Sequence, residues 1–403
     1  MKSFKLLIVA VITVILFQCF IRLKKRNNDE MIARRMLNKE RNALNLNKIT
    51  YCTYYNFTVA DNMRIQYPYM PISLALHSSI DYTFNIIEQA ERWDDFISYS
   101  IYLHPGAEFA LSNLLKLHRC HKQVFQKVSI HLIWGLGAFQ RSCKTVEDFL
   151  YELYSKTNFS CDDFGDAIEE LKMIKLPIVY NYPINVMRNE ARRGAQTKLV
   201  IIADVENFFS RNFAVQVRNL TQKLLEKNHE KDVLIYRRFE MTPNISFPSS
   251  LKDIQKYYHN QLLFEFHSKF FHEGHSIPNL GTWFEYGISR KAVVAEYIPY
   301  NRSKWEPQFI FSTVADPPFH PEEIPTRFLD HQAFVNEMCR SGYNFYLLSH
   351  VFNIHYGIKR NHTLREKLLS KSAQVPGIAF LKQFNKYLDF KYPKTKKSCP
   401  PLF

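Results

Sequence analysis

The sequence predicts an α/β fold on a mixed, mostly parallel sheet. Three observations lead there. Short apolar runs alternate with helix-like stretches. One of those runs ends in two acidic residues. The chain of 403 residues is 46% hydrophobic, enough to bury a large core.

The first strands are expected at 72–77 (ISLALH) and 96–103 (FISYSIYL), with a helix over 82–93 between them. Strands at 128–134 and 176–180 follow. Residues 185–196 have helical composition, and 198–203 (KLVIIA) is a continuous apolar strand. Later strands are expected at 233–236, 293–297, 309–312 and 345–348. Alternating strands and helices place ligand sites at the carboxyl ends of the strands. One α/β domain over 49–403 accounts for this pattern.

The N-terminus carries a different signal. Residues 6–21 (LLIVAVITVILFQCFI) are almost wholly apolar. The run is short beside a typical span of ~20 residues but lies within the lower range. A cleaved signal peptide needs small residues before the cut, and Gln18, Cys19 and Phe20 stand there instead. The reading is a short tail (1–5), a retained signal anchor (6–21), a polar stem (22–48) and a luminal domain (49–403). Arg22, Lys24, Lys25 and Arg26 after the span argue for the opposite orientation. Against them stand six N-x-S/T sequons, at Asn56, Asn158, Asn219, Asn244, Asn301 and Asn361. Cys52, Cys120, Cys143, Cys161, Cys339 and Cys399 also suit an oxidising lumen. Six cysteines allow about 15 pairings, and the sequence does not choose among them.

A net charge of +15 favours anionic partners. No nucleic-acid motif accompanies it, so nucleic acid is not an expected partner. No G-x-S-x-G elbow or H-E-x-x-H helix points to a hydrolase.

The acidic strand end is Asp204-Val205-Glu206. Carboxylates at i and i+2 where a strand leaves a sheet can project together into the crevice. Hard oxygen ligands suit Mg²⁺ or Mn²⁺. Such an ion stabilises a departing diphosphate. Read alone, the same residues serve equally as turn formers or helix caps.

The surroundings extend the pattern. Residues 181–210 read NYPINVMRNEARRGAQTKLVIIADVENFFS. With Tyr182, Pro183, Asn185, Arg188, Asn189, Ala191, Asp204 and Glu206, this segment resembles glycosyltransferase family 49, a glucuronyltransferase family. In the same order, 272–284 (HEGHSIPNLGTWF), Trp305-Glu306-Pro307 and 353–359 (NIHYGIK) are similar to further family motifs. The resemblance covers roughly residues 50–399.

It implies a GT-A-type, Rossmann-like mixed sheet flanked by helices. It also implies a UDP-sugar donor, Mn²⁺ (or Mg²⁺), and inverting transfer to a glycan or glycoprotein acceptor in the Golgi, by a single-pass type II protein. Carried over, Asp204, Glu206 and His355 hold the metal and the donor phosphates. Asn185, Arg188 and Asn189 shape the donor site, and Lys359 can add charge near the pyrophosphate. A glucuronate donor needs a cation for its carboxylate, which Arg188, Arg192, Arg193 or Lys359 can supply. Arg188 can equally salt-bridge a nearby carboxylate, and His355 can be an ordinary core histidine.

Two departures stand out. The family's usual Asp-x-Asp ends here in Glu206, and its Asp-Glu-Arg-Phe stretch is replaced within 317–331 (PPFHPEEIPTRFLDH). An inverting transferase needs a base for the acceptor hydroxyl; Glu322, Glu323 and Asp330 are the candidates in that segment. These departures motivate an alternative, a pseudo-glycosyltransferase that binds glycans or partners without turnover. Homo- and hetero-oligomers are both left open.

Overall fold

The computed structural model describes residues 51–136, 143, 150, 160–176 and 182–402. Tail, anchor and stem (1–48), Asn158 and all but the first residue of the expected strand at 176–180 lie outside the described residues. Tyr51–Gly135 and Arg141–Phe403 gather into one unit around one sheet.

Strand β1 (Tyr51–Thr58) pairs antiparallel with the far edge of the first half of the sheet. Strand β2 (Ile72–Ser79) leads through a 3-10 turn into helix α1 (Ile86–Arg92), and β3 (Ile97–Leu103) follows. Helices α2 (Leu111–Cys120) and α3 (Lys122–Lys127) return the chain to β4 (Val128–Gly135). Helix α4 (Phe164–Met173) and helix α5 (Ile184–Gly194) precede β5 (Leu199–Asp204), which turns at once into the short β6 (Asn207–Phe209). These runs are strands because their residues are buried on both faces: every residue of β3 is buried, and all of β5 except Asp204.

The second half contains α6 (Phe213–Lys223), β7 (Asp232–Met241), α7 (Leu251–His259) and β8 (Leu263–Glu265). The short α8 (His272–His275), α9 (Leu280–Ser289), β9 (Ala295–Tyr297) and β10 (Phe309–Ser312) follow. Helix α10 (Asp330–Arg340), β11 (Asn344–Tyr356) and the long α11 (Leu364–Lys391) complete the described chain.

The strand order is β1-β4-β3-β2-β5-β10-β7-β11-β6, with β8 beside β7 and β9 beside β11. β4, β3, β2 and β5 are mutually parallel, β7 and β11 are parallel, and β10 runs antiparallel between the two sets. The sheet is therefore mixed. Its order reverses between β2 and β5: the chain builds outward from β2 through β3 to β4, then returns to β2's other side. That reversal opens a crevice at the carboxyl ends of β2 and β5.

Among the apolar clusters that hold the layers, two pack the second half of the chain. Phe309, Phe311, Phe345, Trp305 and Phe334 pack α10 against the second half of the sheet. Leu381, Phe384 and Leu388 of α11 close over Ile324, Ala333 and Leu402. Disulfides join Cys52 to Cys143, Cys120 to Cys161 and Cys339 to Cys399, which resolves the pairing the sequence left open. Asn56, Asn219, Asn244, Asn301 and Asn361 are all exposed. Among the described residues no helix is long and apolar enough to cross a membrane.

Candidate active site

The crevice floor is the junction of β2 and β5. His77 and Asp204 are register partners there, and His77 Nε2 lies 3.2 Å from Asp204 Oδ1. The imidazole is oriented by Tyr182, whose hydroxyl is 2.9 Å from Nδ1. Burial keeps His77 neutral by lowering its pKa, more than the neighbouring Asp204 raises it. It therefore meets Asp204 as a dipole rather than a counter-cation, in a polar contact that does not count as a full hydrogen bond. Burial opposes ionisation of Asp204. The His77 contact and the charges of Arg188 and Arg238 overcome it and hold the carboxyl well below its usual range. Solvent still reaches 39% of the Asp204 side chain.

The turn after β5 is fixed from beneath. Buried Gln89 of α1 donates through Nε2 to the carbonyls of Val205 and Asn207, both at 2.8 Å. Val205 is buried while Asp204 and Glu206 are each half-exposed, so the i, i+2 spacing turns both acids outward. Burial, then the charges of Asp204 and Asp81, push the Glu206 carboxyl up to about 7.

His355 arrives from the other side. β11 pairs with β6 so that His355 is opposite Asn207, one residue beyond Glu206. Burial lowers the His355 pKa, leaving a neutral imidazole, the ligand form. Asp204 acts electrostatically on both Glu206 and His355. Among the described residues no three His, Cys, Asp or Glu side chains converge closely enough to hold an ion. The donor set nevertheless suits one: two carboxylates, one of them poorly ionised beside the other, and a neutral imidazole. A divalent ion would relieve that repulsion.

Helix α5 does something the sequence did not disclose. Asn185, Arg188, Asn189 and Arg192 form one stripe at helical spacing, and the stripe grips the 317–330 segment. Asn185 donates to the carbonyls of Pro321 (2.8 Å) and Asp330 (3.1 Å). Asn189 donates to His320 O and Glu322 Oε1, both 2.8 Å, and accepts from the His320 amide at 2.9 Å. Arg192 donates to the carbonyls of Pro318 (2.5 Å) and Pro317 (2.8 Å). Arg188 pairs with Asp330 at 2.8 Å, the nearby-carboxylate reading of that residue. Gly194 lets the helix end lie tight on the sheet: a Cβ there would meet His131 Nε2 at 2.1 Å.

The remaining residues singled out in the sequence fall as follows. Lys359 Nζ lies 2.6 Å from Glu366 Oε1. Arg193 pairs with Glu190 and lies 3.3 Å from Glu322. Glu322 and Glu323 are exposed. Asp330 is kept well ionised: burial opposes this, and Arg188 and the Arg327 amide prevail.

Other side chains enter the crevice that site reasoning from sequence passed over. Glu306 lies 3.1 Å from His275 Nε2, and His275 is 3.3 Å from His267 Nδ1. Burial is the main cause that raises the Glu306 carboxyl to about 7. Arg238 of β7 completes the group, acting on Asp204, Glu306, His275 and His355. The signal for Glu306 was its Trp-Glu-Pro motif; for Arg238 there was none beyond an arginine pair in an apolar strand. A groove of about 580 Å³ lined by Phe109, Asp166, Glu169, Glu170, Met173 and Ile174 contains none of these residues.

In an open α/β sheet ligands bind at the carboxyl ends of the strands where the strand order reverses, and here that crevice carries two carboxylates. A family model described as glycosyl-transferase for dystroglycan, family 49, matches residues 71–393, and the chain belongs to this family. It is a glycosyltransferase. It is similar to β-1,4-glucuronyltransferase 1 of Mus musculus, 24% identical over 349 residues, covering 81% of this chain and 77% of that protein. The same protein of Danio rerio is 21% identical over 339 residues, 81% and 75% of the two chains. Xylosyl- and glucuronyltransferase LARGE2s of Gallus gallus is 27% identical over 198 residues, 47% of this chain and 25% of that one. Among solved structures, S. aureus TarS 1-349 in complex with UDP-GlcNAc aligns at TM-score 0.35 and 12% identity, over 81% of this chain and 73% of that one. GalNAc-T7 with UDP, GalNAc and Mn²⁺ aligns at 0.39 and 6%, over 83% and 59%. Both likenesses are too distant to bear on the chemistry.

Proposed function

We propose that the chain transfers a sugar, glucuronic acid by family expectation, from a UDP-sugar to a glycan acceptor, with inversion and with a divalent ion at the Asp204 turn. The observation that supports this reading is that strand register brings Asp204, Glu206 and His355 to adjoining strand ends of the switch-point crevice, within electrostatic reach of one another though not converged on one point. These three residues would hold Mn²⁺ or Mg²⁺. When bound, the ion supplies charge stabilisation to the diphosphate leaving group.

The chain's own residues do the rest. His77, set by Tyr182, orients Asp204. Arg188 and Asn185 lock the start of α10 against α5 and so shape the sugar side of the crevice. In the displacement, the acceptor oxygen bonds to the anomeric carbon, the bond to the diphosphate oxygen breaks, and UDP leaves with the electron pair. The acceptor hydroxyl must give up a proton. Glu306 is our preferred base: it is partly open, 17% exposed, and titrates near neutrality. Glu322 is held by Asn189 and Arg193, and Asp330 by Arg188, which weakens Asp330 as a base.

The apolar run at 6–21 would anchor the protein in the Golgi membrane, with the polar residues 22–48 as stem and the exposed sequons in the lumen. The test is UDP release by the detergent-solubilised full chain against a panel of UDP-sugars with Mn²⁺. Release that is selective for one donor and abolished by EDTA supports the reading; release unaffected by EDTA removes the metal from it. Donor binding without release from any acceptor mixture would favour the pseudoenzyme.

A further inference from the structure

Arg237 and Arg238 are neighbours on β7 with opposite fates. Strand alternation sends them to opposite faces. Arg237 is buried and engaged through both terminal nitrogens, though not through Nε: it pairs with Glu265 at 2.9 Å and donates to the carbonyls of Ile277, at 2.8 Å, and Pro278. The Arg238 side chain has neither an ion pair nor a hydrogen bond among the described residues. Its buried Nε lacks an acceptor. Its guanidinium lies over the Phe266 ring, 3.8 Å from the centroid.

The basic residues first considered for the donor are all occupied. Arg188 is taken by Asp330 and Asn185, Arg192 by two proline carbonyls, Arg193 by Glu190 and Glu322, and Lys359 by Glu366. Arg238 remains, half-buried, within electrostatic reach of Asp204 and Glu306 but in contact with neither. His267, His275 and His355 all feel its charge. The Asp204 and Glu306 carboxylates do not reach hydrogen-bond range, so the guanidinium is left without a protein acceptor among the described residues. A desolvated cation without an acceptor is unfavourable. A planar fork stacked on an aromatic ring matches a two-oxygen anion better than any other ligand.

We propose that Arg238 receives an oxyanion of the nucleotide-sugar donor, through its guanidinium fork held against Phe266. The proposal rests on the donor reading above and deepens it. Two donor groups have this chemistry, the diphosphate and a uronate carboxylate, and binding measurements separate them.

The experiment compares wild type, Arg238→Met and Arg238→Lys as full chains in detergent. Calorimetric titrations use UDP, UDP-glucose, UDP-glucuronate, inorganic pyrophosphate and free glucuronate, each with and without Mn²⁺. Loss of about tenfold or more in affinity for UDP and pyrophosphate in Arg238→Met assigns Arg238 to the diphosphate. A comparable loss confined to UDP-glucuronate and glucuronate assigns it to the sugar. Arg238→Lys should recover part of the affinity as a point charge. Thermal stability of ligand-free Arg238→Met should be unchanged or higher, because an unpaired guanidinium is removed while its packing on Phe266 is largely kept; a structural arginine would lower it. If wild type binds none of the uridine compounds, the donor reading fails, and pyrophosphate or glucuronate binding that Arg238→Met loses still upholds the anion site. Affinities unchanged across all probes, or a wild type that binds none of them, overturn the proposal.

Discussion

His77 Nε2 sits 3.2 Å from Asp204 Oδ1 because the two residues are register partners on adjacent parallel strands. The side chains of such a pair rise from the same face, so the imidazole steers the carboxylate before any ligand arrives. Tyr182 stacks on His77 and fixes the ring in turn. The crevice is thus pre-organised where the strand order reverses, and donor turnover should depend on that pair.

Asp204→Asn keeps the volume and removes the charge. Turnover should fall by about 100-fold or more, with an unchanged far-UV circular dichroism spectrum. His77→Phe keeps the stacking on Tyr182 and loses the polar contacts with Asp204 and the Tyr182 hydroxyl, so a smaller drop of about tenfold is expected. UDP release under saturating donor measures both. Full activity in Asp204→Asn would remove this residue from the site.

Glu206 stands where the family's usual motif has Asp, and its carboxyl lies at about 7 beside Asp204 and Asp81. A raised carboxyl pKa means that the folded chain holds the proton more tightly than the unfolded one. Stability from this group therefore declines as pH rises from its ordinary value towards about 7. Without metal, Glu206→Gln should be more stable than wild type at pH values above about 7, and the difference should vanish in acid. The same variant should lose the Mn²⁺-dependent rise in melting temperature that is expected of wild type. Thermal scans with and without Mn²⁺ test both halves.

Glu306 gives a separate pH signature. As a base it must be ionised, so the transfer rate should rise through a pH of about 7 and then level off. Glu306→Gln should lower the rate by about 100-fold or more and erase that limb. The limb should survive in Glu206→Gln, whatever its residual rate, which separates the two carboxyls. A wild-type profile reproduced by Glu306→Gln would return the base to Glu322, Glu323 or Asp330.

Gln89 holds the Asp204 turn through two backbone carbonyls. Gln89→Leu strands both in a buried place, and each unsatisfied group costs about 1–3 kcal/mol. Denaturant titration should show a loss of at least about 2 kcal/mol, accompanied by weaker Mn²⁺ and UDP binding. Gln89→Glu should behave similarly at neutral pH, since a carboxylate cannot donate. Unaltered stability in both variants would show that the turn holds without the clamp.

Much of the parallel half of the sheet was legible because buried strands read as unbroken apolar runs: 72–77, 96–103, 128–134 and 198–203 became β2, β3, β4 and β5. The acidic turn was legible for the same reason, since two carboxylates stand out at the end of such a run. β1 was passed over, with its Tyr-rich, half-exposed pattern, and β6 and β8 are only three residues each. β11 extends far beyond the expected 345–348 because it crosses an irregularity near His350, where the backbone turns left-handed (φ 69°).

Composition, apolar period and motif order by themselves determined an α/β chain of family 49 with a carboxylate pair at a strand end. These properties are local, or follow the order of residues along the chain. Tertiary structure alone decided which cysteines pair, that α5's polar stripe clasps the 317–330 segment, and that Glu306 and Arg238 share the crevice with Asp204. Each of those depends on the meeting of segments distant in sequence, and a side chain's partner, burial and charge state are set by what folding brings beside it.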